Sequence, residues 1–311
     1  MYSKEKIEQS LNELKREFGD WTYDIPLPFG IWTRGDLEVP HTRLKRIVQI
    51  VSDLSGKLLS NCRILDLGCL DGIFSIEFAL HGAQTLGVEI RDGNIQKAIF
   101  CKEVLGLRNL KFRQDDVRNI SMDAYGRFDA VICSGLLYHL PAADVFKLVS
   151  RMFEMVTRVV VVDTHIALEP KERFQHNDQE YWGRTYREHS DDATCEMKAK
   201  SLLASADNNT SFWFTRPSLI NILTEAGFSS VYECFVPTHI NFGRPGLEHR
   251  DRCTFVGIKD ELCTMKTSPA ANSLRERWPE QSLAYSADKI TDVQPKPSLG
   301  KAFRRLKRMI G

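Results

Sequence analysis

Hydrophobic positions in this chain recur at two spacings, one helical and one strand-like. Over residues 3–18, Ile7, Leu11, Leu14 and Phe18 return at three- and four-residue steps, which predicts an amphipathic helix. The stretch "WTYDIPLPFGIWTRGD" that follows is rich in aromatics, Pro and Gly and predicts an irregular segment packed on the main domain. "TRLKRIVQIVSDL" restores helical spacing and leads into an apolar run at 63–67. From there the two patterns alternate. Strand-like "TLGVEI", "LKFRQDD", "FDAVICSG" and "RVVVVDTH" are interleaved with the helical "NIQKAIFCKEVLGL" and "AADVFKLVSRMFEMV". Continuous apolar strands between helices predict a parallel sheet covered on both faces. "PSLINILTEAGF", with Pro at its start and Gly227 at its stop, predicts a further helix. "SVYECFV" and "RCTFVGIK" predict an antiparallel final pair. The fold class is α/β, with a doubly wound, mostly parallel seven-stranded sheet and an antiparallel last strand.

Two regions break the alternation. Residues 166–212 are polar and predict a helical, lid-like insertion after the fifth strand, and residues 261–311 predict a flexible linker ending in a basic tail. The expected organisation is an N-terminal helical and irregular segment over 1–55, a main domain over 56–260 and the tail. With 42 basic and 41 acidic residues the formal charge is +1, so nothing global draws the chain to nucleic acid or membrane. The eight cysteines include no Cys-x-x-Cys pair and no companion His at ligand spacing, so they predict reduced thiols and no metal site. The polar N-terminus and the lack of an apolar run of about 20 residues predict a cytoplasmic protein.

Chemistry concentrates at "ILDLGCLDGIFSIEFA", residues 64–79. An apolar strand ends at Asp66, passes Gly68 and Gly72, and re-enters helical spacing. A nicotinamide dinucleotide site would need G-x-G-x-x-G, but Leu70 and Ile73 occupy the second and third glycine positions, so that reading fits poorly. The pattern resembles the class I S-adenosylmethionine (SAM) methyltransferases, with a Rossmann-like sheet. "LDLGCLDG" is similar to their first motif, in which glycines admit the cofactor backbone-close and a helix N-terminus favours its carboxylate. The resemblance implies that Asp66 receives the ammonium of the methionine moiety. It also implies that Glu89, in "GVEIR", accepts from the ribose hydroxyls, and that Asp116, in "RQDDVRNI", accepts from the adenine amino group beside the Val117 N–H. Ser134, Leu136 and Tyr138, in "ICSGLLYHL", border cofactor and acceptor, and Cys69 and Ile90 complete the cofactor set. Leu70 stands where the family often has a glycine, so its side chain is expected to turn away or the loop to be wider.

Across residues 20–258 the chain further resembles a subfamily that includes tRNA wobble-uridine methyl- and carboxymethyltransferase-like proteins, through "WTYDIPLPFGIWTRG", "SGLLYHL" and "FWFTRPSLINILTEAGF". Carried over, Tyr138 falls on the residue that helps hold a modified cofactor there, and Arg252 falls on the basic residue just before the last strand and is expected to bind the acceptor. The basic and tryptophan residues which those enzymes use upstream of the glycine motif have no clear counterpart, which favours plain SAM. His139 is the first candidate for a base that takes the acceptor's proton, with capping of the following helix as its alternative role, and His165 is the second. In the insertion, Tyr181, Trp182, Arg184, Tyr186 and Arg187, with Trp213 and Arg216 beyond it, could stack on a sugar or base and clamp an anionic acceptor, or merely pack against the segment around Trp21 and Trp32. The basic tail could touch anionic lipid or RNA. The leading expectation is O-methylation of a small-molecule or glycan-type acceptor. The alternatives are a tRNA wobble-uridine methyltransferase and a SAM-binding partner protein without catalysis.

Overall fold

The computed structural model describes residues 2–35, 42–234, 251–260 and Arg277; apart from Arg277 the expected linker and basic tail over 261–311 lie outside them. Helix α1 (Lys4–Phe18) starts where the Ser3 hydroxyl accepts from the Lys6 N–H and stops at Gly19, and it buries Ile7 and Leu11. A two-residue ladder, β1 (Pro26–Leu27) with β2 (Ile31–Trp32), punctuates the aromatic segment before α2 (Thr42–Leu54). The alternating unit then runs β3 (Arg63–Leu67), α3 (Ile73–Leu80), β4 (Gln84–Glu89), α4 (Asp92–Val104), β5 (Leu110–Gln114), α5 (Met122–Tyr125), β6 (Phe128–Ser134), α6 (Ala142–Met155) and β7 (Val156–His165). After it come β8 (Glu172–His176), β9 (Gln179–Arg187), α7 (Cys195–Lys200), β10 (Thr210–Phe214), α8 (Arg216–Glu225), β11 (Ser230–Cys234) and β12 (Arg252–Ile258).

Seven strands form the central sheet in the order β11-β12-β7-β6-β3-β4-β5. Strand β12 runs antiparallel to both neighbours and the remaining pairs are parallel, as the sequence pattern predicts. The period-two alternation sorts the core into two halves. Val131, Cys133, Val160 and Val162 face the side that α6 and α8 cover. Ala130, Ile132, Val159 and Val161 face the side covered by α1 to α4. Each fully buried valine contributes about 1.5–3 kcal/mol, and the ten-residue β7, with Val159 to Val162 all buried, lies inside the sheet between β12 and β6. The N-terminal segment belongs to the second half of this core: Trp21 is buried against Phe100, and Ile25 and Leu27 are buried with it.

The insertion is not helical, contrary to expectation. Apart from the six residues of α7 it is a three-stranded antiparallel sheet, β10-β9-β8. Its strands keep one face in water and fill it with Glu, Gln and Arg, so the alternation is too diluted to read. The link between β8 and β9 is Asn177-Asp178, both at left-handed φ (47° and 61°) between the paired His176 and Gln179, which is the two-residue turn that matches strand twist. The apolar face, with Tyr181, Phe212 and Phe214, packs on Phe146 of α6, not on Trp21 or Trp32.

Candidate active site

At the carboxyl ends of β3, β4 and β6 the sheet opens into a cavity of about 270 Å³. Its floor is the turn after β3. Gly68 takes φ 66°, and a Cβ there would come within 3.2 Å of Leu136. Gly72 takes φ 89°, and a Cβ there would lie 2.8 Å from the Phe112 ring, so both positions need glycine. Between them Leu70 adopts the left-handed φ of 50° that a glycine would favour, and it lines the cavity.

Of the residues expected around the cofactor, Gly68, Glu89, Ile90, Asp116, Val117, Ser134 and Leu136 line this cavity, whereas Asp66, Cys69 and Gly72 lie beneath it. Asp66 is buried and accepts the Ser75 hydroxyl at 2.6 Å. Burial pushes its carboxyl up to about 7, against the pull of the Ser75 hydrogen bonds. Asp71, one residue before Gly72, is equally buried and accepts the N–H groups of Thr22 (2.6 Å) and Tyr23 (2.9 Å). Burial raises it to about 6, opposed by those N–H groups and Lys97. The Lys97 ammonium in turn donates to the carbonyls of Phe18 and Asp20.

Glu89 is the buried carboxylate that reaches the cavity. Its Oε2 accepts the Leu70 N–H at 3.1 Å and its Oε1 the Arg91 N–H at 2.9 Å, which leaves acceptor capacity on both oxygens. Burial raises its pKa, and the Arg91 and Leu70 N–H groups act the other way. Ser134 Oγ, on the cavity wall, is buried without a hydrogen-bond partner among the described residues. Asp116 is gripped by the Arg118 guanidinium, with Nε 2.9 Å from Oδ2 and Nη2 2.5 Å from it, so its carboxylate is not the free acceptor that was expected. Arg118 also pairs with Asp207. Residues 202–207 roof the cavity, and Arg91 ties this stretch down through the carbonyls of Ala199, Ser201 and Ala204.

The other end of the cavity is built around Tyr138. Its ring lies 4.1 Å from that of His139 and 4.7 Å from that of His165. Tyr138 and His139 line the cavity; His165 sits behind them, 3.2 Å from Asp251 and stacked on Trp213. The imidazole of His139 does not cap α6, which has no side-chain cap; its Nδ1 lies 3.0 Å from both carboxylate oxygens of Glu188. Arg252 lines the cavity and donates to the Tyr138 hydroxyl at 3.3 Å and to Asp163 at 2.7 Å. Asp163 is fully buried and also meets Arg43 (3.7 Å), Arg46 (3.3 Å) and the Thr254 hydroxyl (2.6 Å). Burial resists its ionisation, but Arg252 and Arg43 prevail and hold its carboxyl below the ordinary value. Three guanidinium groups meet one carboxylate here, and the carboxylates of Glu188 and Asp251 stand nearby.

The insertion residues are placed less simply than expected. Tyr181 is 1% exposed in the core and bonded to Glu225, and the Trp182 N–H donates to Ser218 on α8, so neither lines the cavity. Alternation along β9 sends Tyr181 inward onto α6 and keeps this part of the hairpin off the cavity. Tyr186 (4.4 Å) and Arg184 (4.3 Å) cover Trp213, forming an outer wall behind Tyr138. Arg216 is held by Glu233. Glu188, Asp163, Arg91, Arg118 and the roof were missed. Of these only Asp163 had a local signal, an acid closing the apolar run "RVVVVDTH".

Comparison with known proteins agrees with this architecture. The ubiquinone biosynthesis O-methyltransferase of Acinetobacter baylyi is 29% identical over 99 residues, which cover 32% of this chain and 40% of that protein. The mitochondrial ubiquinone biosynthesis O-methyltransferase of Bos taurus is 32% identical over 114 residues, 36% of this chain and 30% of that one. The chain thus spans less than half the length of these curated relatives. The N-terminal domain of EvdMO1, crystallised in the presence of SAH and D-fucose, superposes with a TM-score of 0.62 at 24% identity, covering 83% of this chain and 98% of that one, and so shares the fold. The family Methyltransf_23, described as a methyltransferase domain, matches residues 39–233, well over half of the sequence. With the seven-stranded sheet and the cavity at its carboxyl edge, this match makes the chain a member of the methyltransferase domain family.

Proposed function

We propose that the protein is a SAM-dependent methyltransferase that O-methylates a small-molecule or glycan-type acceptor. The observation that carries this reading is one cavity with the buried Glu89 carboxylate at one end and the Tyr138–His139–Arg252 group at the other. The residues present suit SAM. Glu89 offers free acceptor sites for the two ribose hydroxyls, Ile90, Val117 and Leu136 offer apolar surface to the adenine, and the unpartnered Ser134 hydroxyl awaits a polar group. Gly68 lets the backbone approach the methionine end. Bound SAM supplies an electrophilic methyl on a positively charged sulfur. The remaining task is alignment and exclusion of water, which can be worth up to about 7–11 kcal/mol. The roof held by Arg91 and Arg118 serves it. At the far end His139 takes the acceptor's hydroxyl proton, and the guanidinium groups of Arg43 and Arg252, which line the cavity, offer donors to a polar group of the acceptor.

The names of the curated relatives, and the D-fucose in the presence of which the N-terminal domain of EvdMO1 was crystallised, support an oxygen acceptor on a small molecule. The tRNA wobble-uridine reading rests on the likeness of short sequence stretches alone. Incubating the purified protein with methyl-labelled SAM and either bulk tRNA or a metabolite and glycan extract tests both. Label in the small-molecule or glycan fraction is the expected result. Label in tRNA overturns the acceptor class, and label in neither, with SAM still bound, points to a partner protein without catalysis.

A further inference from the structure

His139 stands on the single helical turn after β6, and its ring is oriented by a residue 49 positions away. Glu188, at the end of β9, has a buried carboxylate that accepts four hydrogen bonds. Oε1 takes the Ser211 hydroxyl at 2.6 Å, Oε2 takes the Ser205 N–H at 2.9 Å, and both take His139 Nδ1 at 3.0 Å. A peptide N–H can only donate, so Oε2 must accept. Burial resists ionisation of Glu188, but the His139, Ser211 and Ser205 contacts prevail and keep its carboxyl below the ordinary range. An ionised carboxylate has no proton to give, and so Nδ1 of His139 must carry one. Nε2 of the neutral ring then bears the lone pair, and it has no hydrogen-bond partner among the described residues although His139 lines the cavity. The backbone at this point is pinned as well, because Asn208 donates to the His139 carbonyl and the Phe212 N–H to that of Leu140.

We infer that Glu188 is a positioning residue for methyl transfer, holding His139 as the Nδ1–H tautomer so that Nε2 faces the acceptor as a base. The inference rests on the methyltransferase reading above. As the acceptor oxygen bonds to the methyl and the carbon–sulfur bond breaks, the hydroxyl proton passes to Nε2. The imidazolium formed is matched by the Glu188 carboxylate, and its proton later leaves to water. Ser205 lies in the roof, so the group that orients the base also receives a hydrogen bond from the segment that closes the cavity. Asp251 lies 3.2 Å from His165 Nδ1, but no hydrogen bond orients that ring and His165 does not line the cavity.

Glu188→Gln tests this directly because it keeps the shape and removes the charge. The Gln carbonyl must still accept the Ser205 N–H, which puts the amide NH2 at the Oε1 position, also 3.0 Å from His139 Nδ1, where it donates to an unprotonated Nδ1. With the negative charge gone and a donor in place of one acceptor, the balance moves towards the Nε2–H ring. The readout is long-range proton–nitrogen NMR of protein labelled at histidine nitrogens, at alkaline pH, with and without S-adenosylhomocysteine; His139→Gln identifies the signal. The wild type is expected to show Nδ1–H and the variant a larger Nε2–H fraction, with the affinity for S-adenosylhomocysteine within about twofold. On an acceptor found by the labelling experiment, kcat should fall about 10²–10⁴-fold with KM little changed, the size of a lost general base. A wild-type Nε2–H ring, an imidazolium that persists at alkaline pH, or a tautomer that Glu188→Gln leaves unchanged would each overturn the inference. Failure to bind S-adenosylhomocysteine would sink the methyltransferase reading instead, and the tautomer of the free protein would still decide the role of Glu188. Should Glu188→Gln not fold, Ser211→Ala removes one of the donors that keep the carboxylate ionised, and it is expected to raise the Nε2–H fraction; no change there counts against the inference.

Discussion

Glu89 and Asp66 close neighbouring strands, yet they meet different surroundings and do different things. Glu89 reaches the cavity with lone pairs to spare, so Glu89→Ala should weaken SAM binding at least tenfold, each charge-assisted hydrogen bond being worth about 1.5–3 kcal/mol. Calorimetry on the two proteins measures this, and unchanged affinity would remove Glu89 from the site. Asp66 is sealed below the turn, where its carboxyl stays protonated to about pH 7, whereas an unfolded Asp loses its proton near 3.8. The native state therefore binds the extra proton between those values. This contribution to stability is fully present below about pH 4 and is lost as pH rises through 7, by up to about 4 kcal/mol. Asp66→Asn should gain stability relative to the wild type over that window, as urea unfolding at pH 4.5 and pH 8 would reveal.

At the level of elements, legibility followed burial. Strands β3, β6 and β7 are covered on both faces and read as unbroken apolar runs, so the sheet and its antiparallel partner β12 could be placed from the sequence. Strands β8 and β9 are wet on one face, so their sequence predicts helical pieces, although the Asn177-Asp178 pair is a local turn signal. Both residues hold a left-handed conformation that costs an L residue energy. Asp178→Gly should therefore stabilise the hairpin by a few tenths to about 1 kcal/mol, read as a higher urea midpoint with an unchanged slope. The acidic strand ends of the site were legible for the same reason as the strands that carry them. Glu188 and Asp207 were not: their partners His139 and Arg118 lie 49 and 89 residues away, and no local spacing encodes such a meeting.

Over the whole molecule the insertion and the sheet act on one cavity from opposite sides. Residues 202–207 reach the sheet through charged side chains, Arg91 and Arg118, more than through packed apolar ones; Leu203 is 74% exposed. Such a roof should open at a small free-energy cost. Asp207→Ala removes one tether. It should speed amide hydrogen exchange over 199–208 without speeding it in β6 or β7, and raise the dissociation constant for SAM about two- to fivefold. Faster exchange throughout the sheet would mean that the pair supports the fold and not the roof.

The acid inside the glycine turn has a bearing on where this protein can be cut. Asp71 depends on the Thr22 and Tyr23 amides, and Lys97 on the Phe18 and Asp20 carbonyls. A recombinant fragment starting at residue 56 would keep every strand of the sheet, yet it would strip both charged groups of these hydrogen bonds. The first two dozen residues thus brace the glycine turn as a keystone braces an arch, and expression trials that trim them would be loosening the floor of the cavity.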